Sequence, residues 1–113
     1  CPRGIRTLAP QDHMYQGYHE GGLEEREGSS HQGTAWPHLI GYYVRAHVQQ
    51  APDDEALRRE LRALVEGVVG DPLALLQVPE MADGDAPNQF RACPASAWAV
   101  AELLRCTVED LEY

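Results

Sequence analysis

His31-Gln32-Gly33-Thr34-Ala35-Trp36-Pro37-His38-Leu39-Ile40-Gly41 stands where a polar, turn-rich segment gives way to helical periodicity. Thr34 is suited to cap a helix, and Pro37 to occupy its first turn, where its missing N–H costs nothing. Beyond it, Ile40, Tyr43, Val44, His47 and Val48 recur at helical spacing until Pro52. A first helix is therefore expected from about Trp36-Pro37 to Pro52. Upstream, residues 1–35 contain Pro10-Gln11-Asp12, Gly21-Gly22 and Gly28-Ser29-Ser30 and sustain no period of two or of 3.6. They read as an extended segment lying on something else. An irregular stretch of that length is uncommon inside a small compact domain, which points to a fragment.

Downstream, Leu57, Leu61, Leu64, Val65 and Val68 form one apolar stripe opposite Arg58, Arg59, Arg62 and Glu66. Asp53 or Asp54 caps this second helix, and Gly67, Gly70 and Asp71-Pro72 close it. Residues 73–78 are a short apolar run that fits either a helical turn or a brief strand. A third helix is expected from near Pro94, with Ala97, Trp98, Ala101, Leu104 and Val108 on its inner side. The fold class that follows is all-α, with three amphipathic helices and long loops. It forms one partial domain over residues 1–113, mainly irregular over 1–35 and helical over 36–113.

The 113 residues allow one modest domain. A formal charge of −9, with all nine basic residues arginine, argues against a nucleic-acid or anionic-membrane partner. No apolar run approaches the roughly 20 residues of a membrane span. Cys1, Cys93 and Cys106 are an odd, widely spaced set, as expected of a reduced cytoplasmic protein. There is no initiating Met and no signal-peptide pattern, so the chain is expected to begin partway through something. Metal binding is not expected, because H-E-x-x-H and C-x-x-C are both absent and His38 and His47 fall on opposite helix faces. A Gly-rich phosphate loop and a G-x-S-x-G elbow are absent too, and no cofactor is implied.

Two places carry possible chemistry. One is the acidic loop with Glu80, Asp83 and Asp85; the other is the polar-aromatic run from His31 to His38. Glycoside hydrolysis needs paired carboxyl groups, one to protonate the leaving oxygen and one to activate water or attack. Trp36 and Trp98 offer the apolar area with a polar edge that suits a sugar face. Each has a plainer reading. Asp83-Gly84-Asp85 is an ordinary turn composition, and the two tryptophans serve more readily as core anchors.

Read together, the segments resemble a known family. His31-Gln32-Gly33-Thr34-Ala35-Trp36-Pro37 resembles the H-x-G-T-x-W-P motif of amylo-α-1,6-glucosidases, the branch-removing part of glycogen debranching enzymes. Glu80-Met81-Ala82-Asp83-Gly84-Asp85 is similar to that family's E-x-x-D-G-D loop. Cys93-Pro94-Ala95-Ser96-Ala97-Trp98-Ala99-Val100-Ala101-Glu102-Leu103-Leu104-Arg105 resembles its closing helix, and Gly4-Ile5-Arg6-Thr7-Leu8 its G-L-R-T-L. The resemblance implies a fragment of an (α/α)6 barrel and an inverting cleavage of α-1,6-linked glucose stubs. It implies Glu80 as the general base, with the general acid upstream of the residues present. It also implies His31, Thr34 and Trp36 near the sugar, and Asp83 and Asp85 shaping the loop that holds the base; these five are the candidate substrate-binding residues.

The sequence departs from the pattern in places. Pro79 stands for a serine, Ala82 for an aromatic residue, His38 for a second tryptophan and Ser96 for a glutamine. With one carboxyl group missing, the isolated chain is expected to be inactive. An α-glucan or malto-oligosaccharide is the expected ligand, and a homo-oligomer burying unpartnered helix faces the expected state. The rival reading is a small helical assembly or carbohydrate-binding protein without catalysis.

Overall fold

The computed structural model describes residues 1–112. In chain order the elements are β1 (Ile5–Arg6), α1 (Leu23–His31), β2 (Ala35–Trp36), α2 (Leu39–Gln50), α3 (Glu55–Val69), a 3-10 turn over Pro72–Ala74, β3 (Met81–Ala82), β4 (Phe90–Arg91) and α4 (Ala97–Glu109). The all-α expectation is thus wrong. Among the described residues, four helices accompany a four-stranded antiparallel sheet in the order β1-β2-β3-β4, making the fold mixed α and β rather than all-α. The pairs Ile5 with Trp36, Ala35 with Ala82, and Ala82 with Phe90 fix the register.

The helices α2, α3 and α4 pack on one another around Ile40, Val44, Leu61, Val65, Val68, Leu103 and Cys106. The stripe read on α3 is the one buried, with Leu57 and Leu64 packed at its border. Asp54 caps α3 by accepting the Leu57 N–H at 2.9 Å. The start of α2 differs from expectation. His38 precedes its first turn without a side-chain cap, and Thr34 sits fully buried just before β2. Within residues 1–35, α1 forms without an apolar stripe. Ser29 and Ser30 are its buried positions, both hydroxyls bonding back to the Arg26 carbonyl at 2.9 Å.

The face of α4 is also reversed. Trp98, Leu104 and Val108 stand 66%, 62% and 59% exposed, while Ala99, Leu103 and Cys106 face the core. On the buried side α4 approaches α2 closely. A Cβ on Gly41 of α2 would lie 2.4 Å from the Glu102 carboxylate of α4. Glu102 is itself paired with Arg105 at 2.6 Å. Arg58 and Arg62 of α3 then donate to the Asp110 and Leu111 carbonyls, both at 2.7 Å, tying down the end of α4. Among the described residues, no helix is long and apolar enough to cross a membrane.

Leu103→Ala is expected to cost about 2–5 kcal/mol in urea unfolding, as truncation of a buried Leu does. Its neighbour Leu104→Ala should stay within about 0.5 kcal/mol. Equal losses at the two positions would mean that the face of α4 is assigned wrongly.

Candidate active site

The pairing of Ala35 with Ala82 sets the H-x-G-T-x-W-P segment beside the E-x-x-D-G-D loop. The contact is close. A Cβ on Gly84 would lie 2.2 Å from the Gly33 carbonyl oxygen and 2.5 Å from the Tyr15 hydroxyl, so both strands approach through glycine. Residues 15–20 lie across the same loop. The Gln16 N–H donates to the Gln32 carbonyl at 2.7 Å and the Asp85 N–H to that of Gly17 at 3.1 Å.

The three carboxylates of the loop have different surroundings. Asp83 is 1% exposed. It accepts from Arg91 Nε at 3.0 and 3.1 Å, from Arg91 Nη2 at 2.8 Å and from the His19 backbone N–H at 2.8 Å. Its acceptor capacity is filled, and the same carboxylate raises the Arg91 pKa further above its usual value. Asp85 takes the Tyr15 hydroxyl at 2.9 Å and lies against Gly17. Burial, with this bond second, pushes the Tyr15 phenol upward. Glu80 is partly exposed and its carboxylate accepts only the Cys93 N–H, at 3.2 Å, among the described residues. Its own N–H donates to the Cys93 carbonyl at 2.9 Å, extending the β3–β4 pairing by one step.

The remaining candidates lie on the other segment. His31, at the end of α1, is exposed with Nε2 3.5 Å from Glu27. Thr34 is fully buried and its hydroxyl has no partner among the described residues. Trp36 is partly buried, its indole N–H donating to the Ser30 carbonyl at 3.0 Å. Trp36 and His31 share a recess with Trp98, whose exposure corrects its reading as a core anchor. Glu80 does not line that recess. Sequence reasoning missed Tyr15, His19 and Arg91, which hold the acidic loop. Burial, followed by the nearby Arg26 charge, lowers the His19 pKa, and His19 Nδ1 meets Ser29 Oγ at 3.0 Å.

The family model for amylo-alpha-1,6-glucosidase matches residues 1–105, and the chain belongs to that family. No solved structure matches it.

Replacing Arg91 by Leu leaves Asp83 buried without its partner. A destabilisation of about 3 kcal/mol is expected, the lower end for a broken buried pair because Arg91 keeps some exposure. Adding Asp83→Asn should recover part of that loss in thermal unfolding. Wild-type stability of Arg91→Leu alone would show that the pair is dispensable.

Proposed function

We propose that this chain supplies Glu80 as the general base of an inverting glycoside hydrolase that removes α-1,6-linked glucose stubs from glycogen-like glucans. Family membership supports the reaction class. A general base needs a lone pair free for the attacking water. Hydrogen-bond occupancy sets Asp83 aside, because both of its oxygens accept from Arg91 and the His19 N–H. Asp85 and Glu80 each keep one oxygen unbonded among the described residues, and the observation that selects Glu80 is its match to the first position of the E-x-x-D-G-D loop. Asp83 and Asp85 then act as positioning residues, and His31 and Trp36 border the sugar.

An inverting site places its acid roughly 6.5–9.5 Å from the base. The acid belongs to a polypeptide segment beyond these residues, so the chain by itself releases no glucose. Saturable glucose release from a branched dextrin, abolished by Glu80→Gln, would overturn that requirement. Combined with a polypeptide carrying the upstream carboxyl group, Glu80→Gln should lower kcat by about 10²–10⁴-fold. Asp85→Asn should cost far less; an equal loss would move the base to Asp85.

The ligand in this reading is an α-glucan or malto-oligosaccharide, and the working state is an oligomer. Leu73, Leu75, Leu76, Leu104 and Val108 are all exposed, and clustered apolar surface is ordinarily covered by association. Light scattering at micromolar concentration is expected to give a mass above the 12.5 kDa of one chain. A monomer would refute self-association.

A further inference from the structure

The outward face of α4 is as apolar as its inward face. Ala99, Glu102, Leu103 and Cys106 point into the molecule. Opposite them stand Ala97, Ala101, Leu104 and Val108, all four exposed. Their spacing of four, three and four residues is the a/d repeat by which one helix seats its side chains between those of another. Trp98 and Val100, also exposed, flank this seam. A helix that is apolar all round is ordinarily covered on both sides, yet the outward side of α4 is open among the described residues.

The seam fits itself. When it is laid antiparallel on a second copy, with the two-fold axis level with the midpoint of Glu102 and Leu103, Ala101 faces the partner subunit's Leu104 and Ala97 faces the partner subunit's Val108. Every layer then sets a methyl group against a branched side chain, so small and large groups interdigitate along the contact. A parallel pairing would stack alanine on alanine and leucine on leucine, leaving gaps in some layers and crowding in others. Charge does not oppose the antiparallel approach. The seam and its flanks carry no charged residue, and Arg105 at its edge is neutralised within its own chain by Glu102 at 2.6 Å and Asp110 at 2.8 Å. On a chain of formal charge −9, an uncharged strip is where two copies meet with least repulsion. A membrane suits the face less well. The 13 residues of α4 fall short of the roughly 20 of a span, and the net charge is repelled by an anionic surface.

We propose that two copies of this chain pair through the outward face of α4, antiparallel, with Ala101 seated against the partner subunit's Leu104 and Ala97 against the partner subunit's Val108. The inference rests on the self-association proposed above and names the surface and geometry that produce it, setting aside the exposed Leu73, Leu75 and Leu76. A contact of this length lies near the lower end of stable interfaces, about 1,200 Å² in total, so the dimer dissociates in the micromolar range.

Sedimentation equilibrium of the full chain at tens of micromolar should give twice the 12.5 kDa of one protomer. Leu104→Glu puts a carboxylate into the seam at a position outside the core. It should raise the dissociation constant by about tenfold or more while the far-ultraviolet circular dichroism stays unchanged. Leu75→Glu should associate as the wild type does. With Cys1→Ser and Cys93→Ser in place, a mixture of Ala101→Cys and Leu104→Cys chains should join by a disulfide on addition of an oxidant, whereas Ala101→Cys chains alone should not. Ready cross-linking of Ala101→Cys chains to each other marks a parallel pair and overturns the proposal. A dimer that survives Leu104→Glu overturns it while leaving self-association intact. A monomeric wild type overturns both, and none of these results touches the assignment of Glu80.

Discussion

Two backbones touch at Gly33 and Gly84, and the remainder of the site depends on that approach. A Cβ on Gly84 would meet the Gly33 carbonyl at 2.2 Å, and one on Gly33 would meet the Gln16 carbonyl at 2.1 Å. Backbone atoms cannot yield as a flexible side chain does, so only glycine permits three segments to stack here. With them stacked, Ala35 pairs with Ala82 and Asp83 turns inward beneath residues 15–20. A carboxylate in that position must be fully bonded, and Arg91 on the adjacent strand does this from the direction that the hairpin dictates.

The helical part of this arrangement could be read from spacing, because α3 carries five apolar residues at regular intervals, of which Leu61, Val65 and Val68 are buried and Leu57 and Leu64 pack at the border. The sheet could not. Its strands are two residues long, too short to show alternation, and three of the four lie in segments that carry the family resemblance. Ile5–Arg6 lies in the G-I-R-T-L block, Ala35–Trp36 in the H-x-G-T block and Met81–Ala82 in the acidic block. Residues quoted for their resemblance to a family's motifs are in part the strands of the sheet. The helix α1 escaped notice for a related reason. Its buried positions are Ser29 and Ser30, satisfied by the Arg26 carbonyl, so hydrophobic periodicity had nothing to detect.

Misreading α4 has a different origin. Counting large apolar residues put Trp98, Leu104 and Val108 inside, because bulk dominates any hydrophobic stripe. The neighbouring helix decided otherwise. Gly41 of α2 leaves room for the Glu102 side chain of α4, which enters the interface paired with Arg105, and Ala99, Leu103 and Cys106 are buried on the same side.

The three carboxylates show how one loop divides structural from chemical work. A buried aspartate with every acceptor filled stabilises its surroundings and has no vacancy for a water proton. A glutamate on the adjoining strand end has the opposite character. The Cys93 backbone bonds to Glu80 twice, once to its N–H and once to its carboxylate, so the side chain is aimed by the hairpin while one oxygen stays unbonded among the described residues. Pro79, in place of a serine, fixes the backbone dihedral φ immediately before it, removing freedom from the segment that presents Glu80. Rigid presentation of a single carboxylate is useful only where a second group meets it across a bound sugar.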